Sequence, residues 1–193
     1  MRATFLVMVG ALGLAGCSSG GGSLEVDARW QLRCVADASG CLTARPARAV
    51  DGLDGDPGIN ASCDIGKASD DRRILNLLLE TGAGASLELS NVIFNQGGGV
   101  EATAGCSVRL VDEGVTFSGL RCGPALPSAE QPCQLSTVVI DEGAPGGPTL
   151  STTLVCRGIT DVAGTETRDL VSPDSPSPAD MPAPITVIGC DGV

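Results

Sequence analysis

The chain has 193 residues, with 12 basic side chains against 23 acidic ones and a formal charge of −11. That excess of carboxylates argues against nucleic acid and anionic lipid headgroups as partners, because both are held through basic patches. Histidine is absent, which removes every catalytic arrangement that relies on an imidazole base.

Residues 1–16 read as an export signal. Arg2 is the only charge, the apolar run 3–12 follows, and the small-residue stretch Leu14-Ala15-Gly16-Cys17 ends it. A charged start with a short apolar core fits a secretory signal. It is too short for a spanning helix, which needs about 20 apolar residues. Leu14-Ala15-Gly16-Cys17 resembles the lipobox of bacterial lipoproteins, a likeness confined to the first 17 residues. The resemblance implies cleavage before Cys17 and a diacylglyceryl group on its sulfur, with, in many Gram-negative bacteria, a further acyl chain on the new amino group. Two or more such chains hold a protein stably on a membrane, whereas one holds it marginally. Ser18 beside the cysteine resembles the sorting pattern for the outer membrane. The expected address is therefore the cell envelope, lipid-anchored at the outer membrane and facing the periplasm or the surface.

Residues 17–23 are then a lipidated cysteine and a Gly/Ser tether, flexible coil by composition. Six extended residues span roughly 20 Å, so the tether keeps the body close to its membrane. Residues 24–193 read as a single β-rich domain. Losing Arg2 leaves 11 basic residues against 23 acidic ones, a formal charge of −12.

Short alternating or β-branched runs recur along this domain between turn signals. Residues 29–34 alternate, with Trp30, Leu32 and Cys34 on one face. Residues 86–94, 107–111, 115–117, 135–140, 149–156 and 185–188 are further strand candidates. Residues 73–80 are ambiguous, since leucine favours helix while eight residues ending at Thr81-Gly82 suit a buried strand. Five prolines between 173 and 184 mark an extended surface loop, pinned at its far end by the strand and cysteine that follow. Seven or eight strands with little helix predict an all-β fold, a two-sheet antiparallel sandwich or jelly roll.

Nine cysteines are present. Assigning Cys17 to the anchor leaves an even set: Cys34, Cys41, Cys63, Cys106, Cys122, Cys133, Cys156 and Cys190. In an exported chain such a set reads as a disulfide framework of up to four bridges. Eight cysteines allow 105 connectivities; a local Cys122–Cys133 bridge closing the proline-rich loop 123–127 is the one pairing expected. Aromatics are scarce and tyrosine is absent, so the core must come from aliphatic side chains and the bridges must brace it.

The loop Asp51-Gly52-Leu53-Asp54-Gly55-Asp56 is the most suggestive cluster. Asp51, Asp54 and Asp56 could wrap Ca²⁺, which takes about six to eight oxygens, although the EF-hand pattern is not met. Asp112, Glu113, Asp141 and Glu142 are conceivable carboxylates for a hydrolase. Adjacent acids before glycine read more simply as solvated turns. Each pair ends a similar stretch, a cysteine and a strand followed by Asp-Glu-Gly. Gln96-Gly97-Gly98-Gly99 lacks the lysine of a phosphate loop and reads as a turn. The expected role is non-enzymatic, structural or partner-binding among envelope proteins. A calcium-dependent, small-ligand or glycan-binding module is the alternative.

Overall fold

The computed structural model describes residues 23–35, 41, 43–103, 105–176 and 181–192; the signal segment, Cys17 and most of the tether lie outside these residues. Among the described residues there is no helix. Eleven strands follow one another: β1 (Glu25–Cys34), β2 (Arg48–Leu53), β3 (Ile59–Ser69), β4 (Arg72–Thr81), β5 (Ser86–Asn95) and β6 (Ser107–Asp112), then β7 (Val115–Gly123), β8 (Cys133–Asp141), β9 (Thr149–Thr160), β10 (Thr167–Val171) and β11 (Ala183–Ile188). The chain is all-β and disulfide-braced, as its sequence implied.

Alternation explains most of these strands. Successive side chains on a strand point to opposite faces. In β1 the buried set is Val26, Ala28, Trp30 and Leu32; in β3 it is Ala61, Cys63 and Ile65. The ambiguous leucine run is β4, with Leu75, Leu77 and Leu79 buried. Pairing with β3 on one side and β5 on the other overrides the helical preference of leucine, because propensity is weak beside tertiary context.

Two antiparallel ladders make up the fold. One runs β3-β4-β5-β6-β7. In the other, β1 is flanked by β2 on one side. On its other side β11 and β10 lie end to end, each pairing with both β1 and β9. β8 completes that ladder against β9. The expected pair of sheets takes the form of one connected path, because Cys122-Gly123 of β7 runs parallel to Cys133-Gln134 of β8. A single hydrophobic cluster draws on both ladders, from Trp30, Leu154 and Ile185 to Leu77, Leu89 and Phe117.

All eight expected cysteines form bridges: Cys34–Cys41, Cys63–Cys190, Cys106–Cys122 and Cys133–Cys156. The expected Cys122–Cys133 bridge is not among them. These two residues are neighbours across the parallel contact, yet each bonds away from it. Cys122 lies beside Cys106, where its N–H meets the Cys106 carbonyl at 3.2 Å. Register sets Cys133 opposite Cys156, with Cα atoms 4.0 Å apart. Strand pairing chose the partners, and closeness in sequence did not.

The outer edge of β3 ends the path, and an open edge invites pairing with other chains. Here it is blunted. The N–H of Ala61 donates to the Asp54 carboxylate at 2.8 Å. Asp191 exchanges backbone hydrogen bonds with Ile65 and Cys63 at 2.9 and 3.0 Å. The Cys63–Cys190 bridge holds this cover across 127 residues of sequence.

The proline-rich segment is pinched at its base. Ser172 N–H donates to the Met181 carbonyl at 2.8 Å, and Met181 N–H donates to Ser175 Oγ at 2.6 Å. The loop is therefore tied at both ends, where the pattern of prolines pointed only to the far one.

Candidate functional site

Register places two charged features at opposite ends of the core. Along β5, Ser86 lies opposite Val111 of β6, next to Asp112, while Phe94 lies opposite Arg73 of β4. β5 has ten residues, so about 30 Å of strand separates its ends.

The Asp112 end is closed by ions. β6 sends Val108, Leu110 and Asp112 inward, so a carboxylate occupies the last core position. Arg48 Nε donates to Asp112 Oδ1 at 2.8 Å. Arg45 Nη1 donates to the Asp112 carbonyl at 2.7 Å and to Glu113 at 3.2 Å, and Arg45 Nη2 pairs with Glu166. Arg168 grips the same Glu166 at 2.6 and 2.9 Å and reaches the Thr43 carbonyl at 2.8 Å. Arg45, Glu166 and Arg168 are only 7%, 8% and 7% exposed. Three arginines thus face three carboxylates, a neutral set in which all but the exposed Glu113 sit largely out of water because each charge meets its opposite. Among the described residues, Arg45 Nε alone of these donors is buried without an acceptor.

Asp161 braces this end. Its carboxylate accepts from the N–H groups of Thr165 and Glu166 and from the Thr165 hydroxyl at 2.6 to 2.8 Å. The hydrogen bond from Glu166 N–H, chiefly, holds its pKa below the ordinary carboxylate range.

Asp112 is therefore buried rather than part of a solvated turn, while Glu113 stays exposed in that turn. Glu113 and Gly114 join β6 to β7 with φ of 50° and 78°, the left-handed pair that suits a two-residue hairpin. Glutamate is costly there, but its carboxylate is held by Arg45 and Arg48. Asp141 and Glu142 end at the other pole, where Asp141 Oδ1 accepts from Gly143 N–H at 3.0 Å.

The Asp51, Asp54 and Asp56 loop joins β2 to β3. Asp54 Oδ1 accepts from Ala61 N–H, Asp56 Oδ2 accepts from Leu53 N–H at 3.1 Å, and Asp51 lies 3.7 Å from Arg29. Each carboxylate faces a different donor. Among the described residues no group of three or more acidic or cysteine side chains converges as a metal site.

The pole opposite the ion cluster holds a cleft of about 270 Å³. Ile65, Phe94, Val138 and Ile140 form its apolar lining, with Arg73, Gln96 and Glu142 as its polar groups. The glycine-rich turn makes one wall by crossing to β8: Val138 N–H donates to the Gly98 carbonyl at 2.9 Å. Gly98 has φ +81°, and a Cβ there would stand 2.8 Å from the Val138 carbonyl oxygen, so only glycine lets the turn seat so closely.

Arg73 occupies the inward lane of β4 that Leu75, Leu77 and Leu79 continue. It is half-buried and makes no hydrogen bond or ion pair among the described residues. Lys67, its partner across β3, is occupied by Asp70 at 2.9 Å. Arg121 on β7 also lacks a partner among the described residues, but it is exposed. Sequence reading missed Arg45, Arg48, Glu166, Arg168 and Arg73. Only Arg73 left a legible trace, a charge in phase with three leucines. Comparison with known proteins finds no matching family model, no similar curated protein and no similar solved structure.

Proposed function

We propose that this chain is an exported lipoprotein, anchored through Cys17 at the outer membrane, whose domain acts by binding an envelope partner rather than by catalysis. One observation carries the reading: eight cysteines close into four bridges, leaving Cys17 as the ninth. Such a framework suits an oxidising compartment, and the unmatched residue is the one that the lipobox-like segment assigns to lipid. The blunted β3 edge fits a domain displayed among other chains without adding strands to them. The non-catalytic part rests on the engagement of three of the four conceivable acids, which leaves exposed Glu142 without a second free carboxylate from that set. Asp112 and Glu113 are taken up by arginines, and Asp141 is taken up by its own turn.

Mass spectrometry of the protein from purified membranes tests this. A lipid-modified N-terminal Cys17 is the expected result, with release into the soluble fraction in a Cys17→Ser chain. An unmodified Cys17 in an uncleaved chain overturns the reading. A small-ligand role is the second reading, and the cleft with Arg73 favours it. The calcium form gains no such support, because Asp54 and Asp56 already serve backbone donors.

A further inference from the structure

An arginine without a carboxylate is unusual in a chain this acidic. Arg29, Arg45, Arg48, Arg72, Arg109, Arg157 and Arg168 each lie within ion-pair distance of an acid. Arg33 donates to the carbonyls of Pro173 and Ser175. Arg73 is the half-buried exception, and it lines the cleft with Phe94 as its neighbour across the ladder. The Arg73 guanidinium has no protein acceptor among the described residues and still meets water, so its donors are free to engage a ligand at the cleft. A planar, permanently charged donor set of this kind matches a carboxylate, sulfonate or phosphate. The apolar floor beside it is small, with Phe94 and Val138 only 2% and 1% exposed and Ile140 partly exposed, so it matches a compact hydrocarbon or aromatic body. Glu142 also lines the cleft but is exposed, so water satisfies it and Arg73 dominates recognition.

We propose that this cleft binds a small amphiphile with a single anionic head, its head on Arg73 and its apolar body against Phe94, Val138 and Ile140. The volume, about 270 Å³, lies just below the usual range for ligand pockets, so the occupant is small. The site rests on the cleft alone and does not depend on the lipid at Cys17.

The test uses the full chain carrying Cys17→Ser, exported so that its bridges form, with two probes that share an aromatic body. One is anionic, 1-anilinonaphthalene-8-sulfonate; the other is uncharged, N-phenyl-1-naphthylamine. Fluorescence titration should show saturable binding, with the anion held about tenfold tighter, the scale of a charge-assisted hydrogen bond. Arg73→Gln should erase that preference while leaving the unfolding midpoint near its original value. Ile140→Trp should fill the cleft and abolish both signals. Glu142→Gln should tighten the anion by removing a like charge.

Equal affinity for the two probes, no saturation at millimolar concentration, or an unchanged preference in Arg73→Gln overturns the proposal. Binding that survives Ile140→Trp in a folded chain also overturns it, as does weaker anion binding in Glu142→Gln. Probe release on self-association at high protein concentration assigns the cleft to a second copy and overturns it equally. A lipid-free Cys17 together with anion-selective binding would separate this inference from the anchoring reading.

Discussion

The two poles of the core handle charge in opposite ways. At one, Arg45, Arg48 and Arg168 meet Asp112, Glu113 and Glu166, and the end of the core is closed. At the other, Arg73 enters the apolar lane with no partner among the described residues, and a cleft stays open beside it. Both depend on the same device, a polar residue at the terminal inward position of a strand, the last of β6 and the first of β4. The difference is whether other strands bring the opposite charge. A paired pole ties irregular chain to the ladders, whereas an unpaired one leaves recognition capacity facing outward.

Breaking the paired pole should have the largest effect. Glu166→Ala leaves buried Arg168 without a carboxylate and takes one of the two from Arg45, and should cost about 3–5 kcal/mol, read from denaturant unfolding. Replacing Cys63 and Cys190 by serine uncovers the β3 edge and opens a closure of 127 residues. The expected loss is about 2–5 kcal/mol, with a rise in aggregation seen by light scattering. At the open pole, Gly98→Ala forces a Cβ against the Val138 carbonyl. It should cost about 1–3 kcal/mol and loosen the cleft wall, measured by thermal melting and amide exchange at Val138.

The contrast sharpens with Arg73→Leu. Removing a cation that has no partner among the described residues should leave stability unchanged or raise it by up to about 1 kcal/mol, the signature of a residue kept for binding rather than folding. The smallest effect concerns acid. The carboxyl of Asp161 is more acidic folded than unfolded, so the unfolded chain takes up more protons as pH falls. Its contribution is present above the ordinary carboxylate value near 3.8 and is lost as pH drops through the lower folded one. Asp161→Asn should flatten the acid limb of a stability–pH profile below about pH 4 and leave that limb's upper plateau independent of pH.

Strands with clean alternation are legible in the amino-acid order, β1, β5, β6, β8 and β9 among them. Others are not. β2 contains Asp51-Gly52 and reads as turn; β3 carries Asp64, Gly66 and Lys67 within its run; β10 is only five residues long. Each is made a strand by its neighbours on the ladder. The leucine run of β4 cannot be told from helix by local pattern, and with it goes the phase that places Arg73 inward. Asp112 is misread for a similar reason. Acids before glycine look solvated until arginines from distant segments arrive.

What the amino-acid order decided by itself was local: the alternation that makes most strands, the turn chemistry between them, and a cysteine count of eight plus one. These depend on neighbours within a few residues and on the fixed geometry of a pleated strand. Which residues meet was left to the tertiary structure. Cys63 finds Cys190 across 127 residues, and Arg45 finds Glu166 across 121. Such meetings follow from the lateral order of strands, which is set by burying one shared core. No short stretch of sequence carries that information, so the sealed pole, the open cleft and the solitary arginine emerged only with the fold.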